Sequence, residues 1–175
     1  SSGNHVYGDN SDGAGFVNDL TGRCGVSLLG KRVLVIGAGG AARGVLAAIC
    51  SQGCARITVS NRTIGAAIAL ADEMGVHYAA FTDLTTGYDI VINATSAGLS
   101  NASPAVPGTI FKDCEIACDL FYAKTPTPFM RFASESGCRR VEDGLGMLIE
   151  QAAESFHIWL GARPDTKPVY AALRG

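Results

Sequence analysis

Residues 32–44, RVLVIGAGGAARG, constrain the fold more than any other stretch of the chain. A short apolar run leads straight into a glycine loop, and the loop leads into small residues with helical spacing. Gly37, Gly39 and Ala42 fill the pattern G-x-G-x-x-A between a strand and a helix. In that context the first glycine permits the tight turn, and the second lets the backbone approach a pyrophosphate. The small third residue lets helix and strand pack closely. The first N–H groups of the helix then face the phosphates. The pattern alone also occurs in ordinary glycine-rich turns, so its position between two elements is what gives it meaning.

The rest of the chain repeats the alternation. GAARGVLAAICSQG reads as a helix closed by Gly53, and ARITVSN as a second strand. Ile64 to Met74 is a predicted helix, with Thr63 as N-cap and Gly75 as its stop. VHYAAF, DIVINAT and EIACDLF are predicted as further strands, and TPFMRFASESG as a helix. Near the end a long helix is expected from Gly144 to about Leu160, with Leu145, Leu148, Ala152, Phe156 and Trp159 on its apolar face. Glu150 and Glu154 fall on its wet face. Before the first strand, NSDGAGFVNDLTG suggests a helix capped by Asn10 or Ser11, and SNASPAVPG a loop. Continuous apolar strands separated by helices imply α/β architecture: a Rossmann-like, doubly wound, mainly parallel sheet with helices on both faces.

The tip of the second strand carries the next signal. Where such folds select NAD, an acid about twenty residues past the glycine loop holds the ribose hydroxyls. Here Asn61, Arg62 and Thr63 stand instead. A guanidinium suits the extra 2′-phosphate of NADP through charge-assisted, often bidentate hydrogen bonds. The same arginine is also compatible with a plain solvated surface. A methyltransferase with a similar glycine loop wants an acid at this tip, which argues against that class. The fourth strand ends in INATSAG, with Asn93, Thr95 and Ser96 at the carboxyl edge where ligands bind in such sheets.

Bulk properties exclude other classes. The formal charge of −2 over 175 residues offers nothing to nucleic acid or an anionic membrane, and no apolar run approaches a membrane span. The six cysteines form no C-x-x-C pair, so no metal site is expected, and reduced thiols in a cytoplasmic protein are.

In the order GDNSDGAG, IGAGGAARGV, SNRT, INATSAG, DLFY, TPF and EDGLGMLIEQA, these motifs resemble the NADP-binding, C-terminal part of the shikimate dehydrogenase family. The resemblance runs over nearly the whole chain. It implies that Gly37, Ala38, Gly39, Gly40 and Ala41 hold the pyrophosphate, and that Asn61, Arg62 and Thr63 hold the adenosine 2′-phosphate. Thr95, Ser96, Leu120 and Gly144 would lie along the nicotinamide half. Asp12 would be the catalytic-site aspartate on the substrate hydroxyl, joined on the substrate side by Tyr122 and Gln151. Gln151 shares an i, i+4 line with Met147 and Ser155, beside the apolar stripe. By residue type alone, Asp12 also fits a helix N-terminal acid, Tyr122 a strand-end aromatic, and Gln151 a satisfied polar residue.

The implied reaction is reversible NADPH-dependent reduction of 3-dehydroshikimate to shikimate, a step of aromatic amino acid biosynthesis. The implied division is a linker helix over residues 1–22 and an NADP-binding domain over 23–175, its C-terminal helices packing back toward the substrate cleft. The family's N-terminal substrate domain, with its catalytic lysine, has no counterpart among these 175 residues, so the chain is expected to bind NADP and to be inactive alone. Two departures stand out: Ser11 where the family usually has Thr, and Ala66 where it often has a second basic residue. A quinate/shikimate dehydrogenase relative and a non-catalytic NADP-binding module are the alternatives.

Overall fold

The computed structural model describes residues 11–100 and 102–174. Its centre is a six-stranded, wholly parallel sheet. The strands are β1 (Arg32–Ile36), β2 (Arg56–Ser60), β3 (His77–Tyr78), β4 (Ile90–Asn93), β5 (Ile116–Asp119) and β6 (Val141–Glu142), in the order β3-β2-β1-β4-β5-β6. The helices are α1 (Asp12–Asn18), α2 (Gly40–Ile49), α3 (Ile64–Met74), α4 (Pro128–Glu135), α5 (Leu145–Leu160) and α6 (Lys167–Arg174). The direction of winding reverses between β1 and β4, and the crevice beyond their carboxyl ends is where such sheets bind ligands.

Alternation along the buried strands feeds two cores. Val33 and Val35 of β1 join α1, α2 and α3 on one face through Phe16, Leu20, Val45, Leu46 and Leu70. Leu34 and Ile36 point the other way, into a core with Phe111, Phe129 and Ala133. There the Phe111 ring meets Phe129 and Phe132 edge-on, with centroids 5.7 and 5.6 Å apart. The sheet is covered on both sides, as its continuous apolar strands require.

Local signals hold where the local chain decides. α3 has the predicted bounds, with Thr63 at the N-cap position but without a capping bond from its side chain, and Gly75 takes the left-handed conformation (φ 66°) that ends it. Other expectations need correction. α2 stops at Ile49, and Gly53 instead closes the turn beyond it, its carbonyl accepting from Gly30 N. The third strand shrinks to two exposed residues at the sheet edge. Ser11 precedes α1 without capping it, and Asn10 lies outside the described residues.

The largest correction concerns α5. Its buried face is Leu145, Gly146, Ile149 and Ala153, whereas Leu148, Phe156 and Trp159 are 41%, 44% and 80% exposed and Ala152 is exposed too. Glu150 and Glu154 are not on a wet face either, because Arg163 pairs with both and Thr166 donates to Glu150. Close approach to α1 sets the rotation. A Cβ on Gly15 would lie 2.6 Å from Gln151 Cβ, and one on Gly146 would lie 2.0 Å from Asp19 Oδ1. Glycine contacts between distant segments, rather than the apolar period, choose which face is covered.

Candidate functional site

The residues singled out for the cofactor all come to one edge of the sheet. Gly37 leaves β1 with φ 118°, a conformation side chains rarely adopt, and a Cβ there would lie 2.8 Å from Ala94 O. Gly37 N donates to Ser60 O and Ala94 N to Ile36 O, both at 2.8 Å, which ties the ends of β1, β2 and β4 together. Gly37 is therefore required by the fold. Gly39 and Gly40 are not: their φ values are not positive and added Cβ atoms would meet nothing within 4 Å. With Ala41 they are exposed, and they open α2, whose first N–H groups have no partner within the helix. Two glycines that serve neither strain nor internal packing suit the approach of a group from outside. Ala38 is half-buried between these two sets.

Beyond β2, Asn61 Nδ2 donates to Thr63 O at 3.1 Å and folds a turn that leaves Arg62 exposed. Among the described residues no acid or hydrogen-bond partner engages the Arg62 guanidinium. Arg43, one turn into α2, is held by Glu73 of α3 and does not join it.

At the end of β4 the structure divides the predicted polar tip. Asn93 is fully buried and does not face the crevice: its Nδ2 donates to Asp119 Oδ1 at 3.0 Å, and its Oδ1 accepts from Thr95 N and Thr95 Oγ1. Asp119 also accepts from Thr127 Oγ1 at 2.6 Å and Phe121 N at 3.2 Å. Burial pushes the Asp119 carboxyl above its ordinary pKa, while the hydrogen bonds from Thr127, Phe121 and Asn93 pull it back. This network joins the ends of β4 and β5 to the N-cap of α4, where Thr127 also accepts from Met130 N. An Asp closing an otherwise apolar strand is the sequence signal that could have revealed it. Thr95 thus has both its hydroxyl proton and its N–H committed to Asn93, and its Oγ1 accepts from Ala97 N at 3.3 Å. Ser96 beside it is exposed. Leu120 and Gly144 meet directly, since a Cβ on Gly144 would lie 2.1 Å from Leu120 O.

Replacing Asp119 by Ala is expected to destabilise the protein by roughly 2–4 kcal/mol, because the buried Asn93 and Thr127 donors lose their acceptor. Urea denaturation measures this, and a loss below about 0.5 kcal/mol would make the network incidental.

Of the second group, Asp12 opens α1 and Gln151 lies on α5 where the two helices cross. Gly13 packs against Gly44 O of α2, and Asp12 beside it is half-buried. Ser11 Oγ donates to Gln151 Oε1 at 3.0 Å and lies 3.0 Å from Ser155 Oγ. The line Met147, Gln151, Ser155 therefore faces α1. Tyr122 stands on the loop after β5, 49% exposed, and has no hydrogen bond to Gln151. Ser11 is the residue of this cluster that composition and spacing did not bring forward. No helix among the described residues is long and apolar enough to cross a membrane.

The family model described as shikimate / quinate 5-dehydrogenase matches residues 20–102, and that of the shikimate 5′-dehydrogenase C-terminal domain matches residues 144–174. A shikimate dehydrogenase (NADP(+)) of Dechloromonas aromatica is 48% identical over 98% of this chain and 65% of its own length. The crystal structure of a shikimate 5-dehydrogenase from Thermus thermophilus, in complex with NADP(H) and shikimate, superposes with a TM-score of 0.80 at 38% identity, over 90% of this chain and 59% of that one. A 5-ketofructose reductase of a Gluconobacter strain superposes with a TM-score of 0.78 at 37% identity, over 91% and 61%. The chain thus spans about two thirds or less of the length of these relatives. With matches on both sides of the sheet's switch point and at the start of α5, this chain belongs to the shikimate dehydrogenase family.

Proposed function

We propose that the chain is the NADP(H)-binding part of a shikimate dehydrogenase, and that it acts with a substrate-binding domain to interconvert 3-dehydroshikimate and shikimate in the cytoplasm. The observation that carries this reading is Arg62, an exposed guanidinium with no acid at the tip of β2, beside a bare glycine loop. The named activity of the Dechloromonas relative and the ligands of the Thermus structure support it.

In this proposal the N–H groups of Gly39, Gly40 and Ala41 bind the pyrophosphate, and Asn61, Arg62 and Thr63 bind the 2′-phosphate. Thr95, Ser96, Leu120 and Gly144 line the nicotinamide half. NADPH, when bound, supplies the hydride. The chain's own residues orient the substrate and handle its proton. Asp12 accepts a hydrogen bond from the substrate oxygen and supports a basic group supplied by the other domain, while Gln151 and Tyr122 bind further substrate oxygens. Proton transfer at that oxygen must accompany hydride movement, which is general acid–base work.

Arg62→Ala is the direct test. The chain should bind NADP(H) at least about tenfold more tightly than NAD(H), and the substitution should remove most of that difference, since one charge-assisted bond contributes roughly 1.5–3 kcal/mol. Equal affinities for the two cofactors in the parent chain, measured by calorimetric titration, would contradict the assignment. The likeness to the 5-ketofructose reductase favours a second reading, in which the same cofactor site serves another polyhydroxylated carbonyl substrate.

A further inference from the structure

Ser11 stands where a helix N-cap stands, yet its side chain makes no capping bond to α1. A serine in that position ordinarily accepts from the N–H groups of the first turn. Here the hydroxyl is turned out of its own helix and across to α5. It donates to Gln151 Oε1 at 3.0 Å and lies 3.0 Å from Ser155 Oγ, and Ser155 Oγ in turn donates to the Gln151 carbonyl at 3.0 Å. Gln151 is thereby gripped at its side-chain oxygen from α1 and at its backbone oxygen from the next turn of α5.

A carboxamide has one accepting end and one donating end. With Oε1 committed to Ser11, the end left over is Nε2, which donates to no group among the described residues. No fully buried side-chain nitrogen or oxygen among the described residues lacks a partner, so Nε2 retains some exposure. The grip needs the two helices close together. Gly15, whose Cβ would lie 2.6 Å from Gln151 Cβ, provides that closeness. Ser11 also immediately precedes Asp12, so the residue that aims Gln151 is bonded to the other residue proposed for the substrate side.

We propose that Ser11 is a positioning residue. It fixes the Gln151 carboxamide so that its N–H end, rather than its oxygen, meets a substrate oxygen. This rests on the reading of Gln151 as a substrate contact. It adds a specificity rule: the group facing Gln151 must be a hydrogen-bond acceptor, such as a hydroxyl or carboxylate oxygen.

The test uses the full-length enzyme that carries this chain, with Ser11→Ala, Ser11→Thr, Ser155→Ala, Gln151→Ala and the double variant Ser11→Ala/Gln151→Ala. Ser11→Ala is expected to raise KM for shikimate about fivefold to tenfold, the equivalent of one neutral hydrogen bond, with KM for NADP unchanged. Ser11→Thr, which keeps the hydroxyl, should restore the parent value. Ser155→Ala removes the second hydroxyl of the cluster and should move the shikimate KM in the same direction while leaving the sequence of α1 intact, which keeps the test open should Ser11→Ala fail to fold. The double variant should be no worse than Gln151→Ala, because Ser11 acts through that side chain. In 15N-labelled protein the Gln151 side-chain amide signals should shift in Ser11→Ala and return in Ser11→Thr. Multiplying effects in the double variant, or a parent-like KM in Ser11→Ala while Gln151→Ala raises it, would overturn the role of Ser11. A parent-like KM in Gln151→Ala would remove the substrate contact itself, and the role of Ser11 with it.

Discussion

Asp12→Asn in the full-length enzyme is expected to lower turnover by at least about 10²-fold, within the range that general acid–base groups contribute. The substitution keeps size and most hydrogen-bonding capacity while removing the charge that would support a basic partner across the cleft. NADP affinity should barely change, because Asp12 opens α1 and belongs neither to the glycine loop nor to the tip of β2. The competing account makes Asp12 the acid of the first turn of α1, where the helix dipole favours it. Removing it would then cost roughly 0.3–1 kcal/mol of stability and leave the rate nearly intact. Steady-state rates and a thermal melt on the same variant separate the two, and near-normal turnover with a lowered melting temperature would make Asp12 structural.

The second large effect is the absence of turnover in these 175 residues taken alone. They should bind NADP(H) and oxidise no shikimate, because the chain spans 65% of the length of its Dechloromonas relative and the basic group proposed to act with Asp12 belongs to the other domain. The chain has four lysines. Lys31 precedes β1 and is paired with Glu115 at 2.6 Å, and Lys112 precedes β5, so both stand at the amino ends of the strands, opposite the cofactor edge. Lys167 opens α6 beyond α5. Lys124, exposed on the loop after β5, is the lysine left at the carboxyl edge. Shikimate oxidation by the purified 175-residue chain at an ordinary enzymatic rate would make Lys124 the candidate base.

What was legible in the sequence was what neighbouring residues decide. Thr63 and Gly75 bracket α3 because an extended residue before a helix and a left-handed glycine after it act over single turns. The strand–loop–helix at Gly37 and the parallel order of the sheet follow from runs of apolar residues and the spacing of glycines. The rotation of α5 did not follow, because it depends on Gly15 and Gly146 meeting partners far away in the chain. A period of 3.6 marks an apolar stripe at Leu148, Phe156 and Trp159 but not what covers it. β6 was too short, at two residues, to carry a pattern. α6 is held by distant partners: Arg174 pairs with Asp143, and the Arg23 guanidinium lies 4.4 Å from the Tyr170 ring centre.

The site divides in the same way. The glycine loop and Arg62 were legible because each occupies a position defined by one strand end. Asn93 turns inward instead of toward the crevice, and residue type does not say which side of a strand end a side chain takes. Its burial appears only when Asp119 and Thr127, 26 and 8 residues distant along successive bonds, are brought against it. Ser11 read as a cap because nothing local shows that its hydroxyl turns to α5, 140 residues away.

The most direct test of the central claim is the rate at which the full-length protein consumes NADPH in the presence of 3-dehydroshikimate, followed by loss of the reduced-nicotinamide absorbance. The account predicts consumption matched by shikimate formed, much slower with NADH, and abolished when the 175-residue chain is assayed alone. Tight NADPH binding by the full-length protein with no oxidation on adding 3-dehydroshikimate would contradict it.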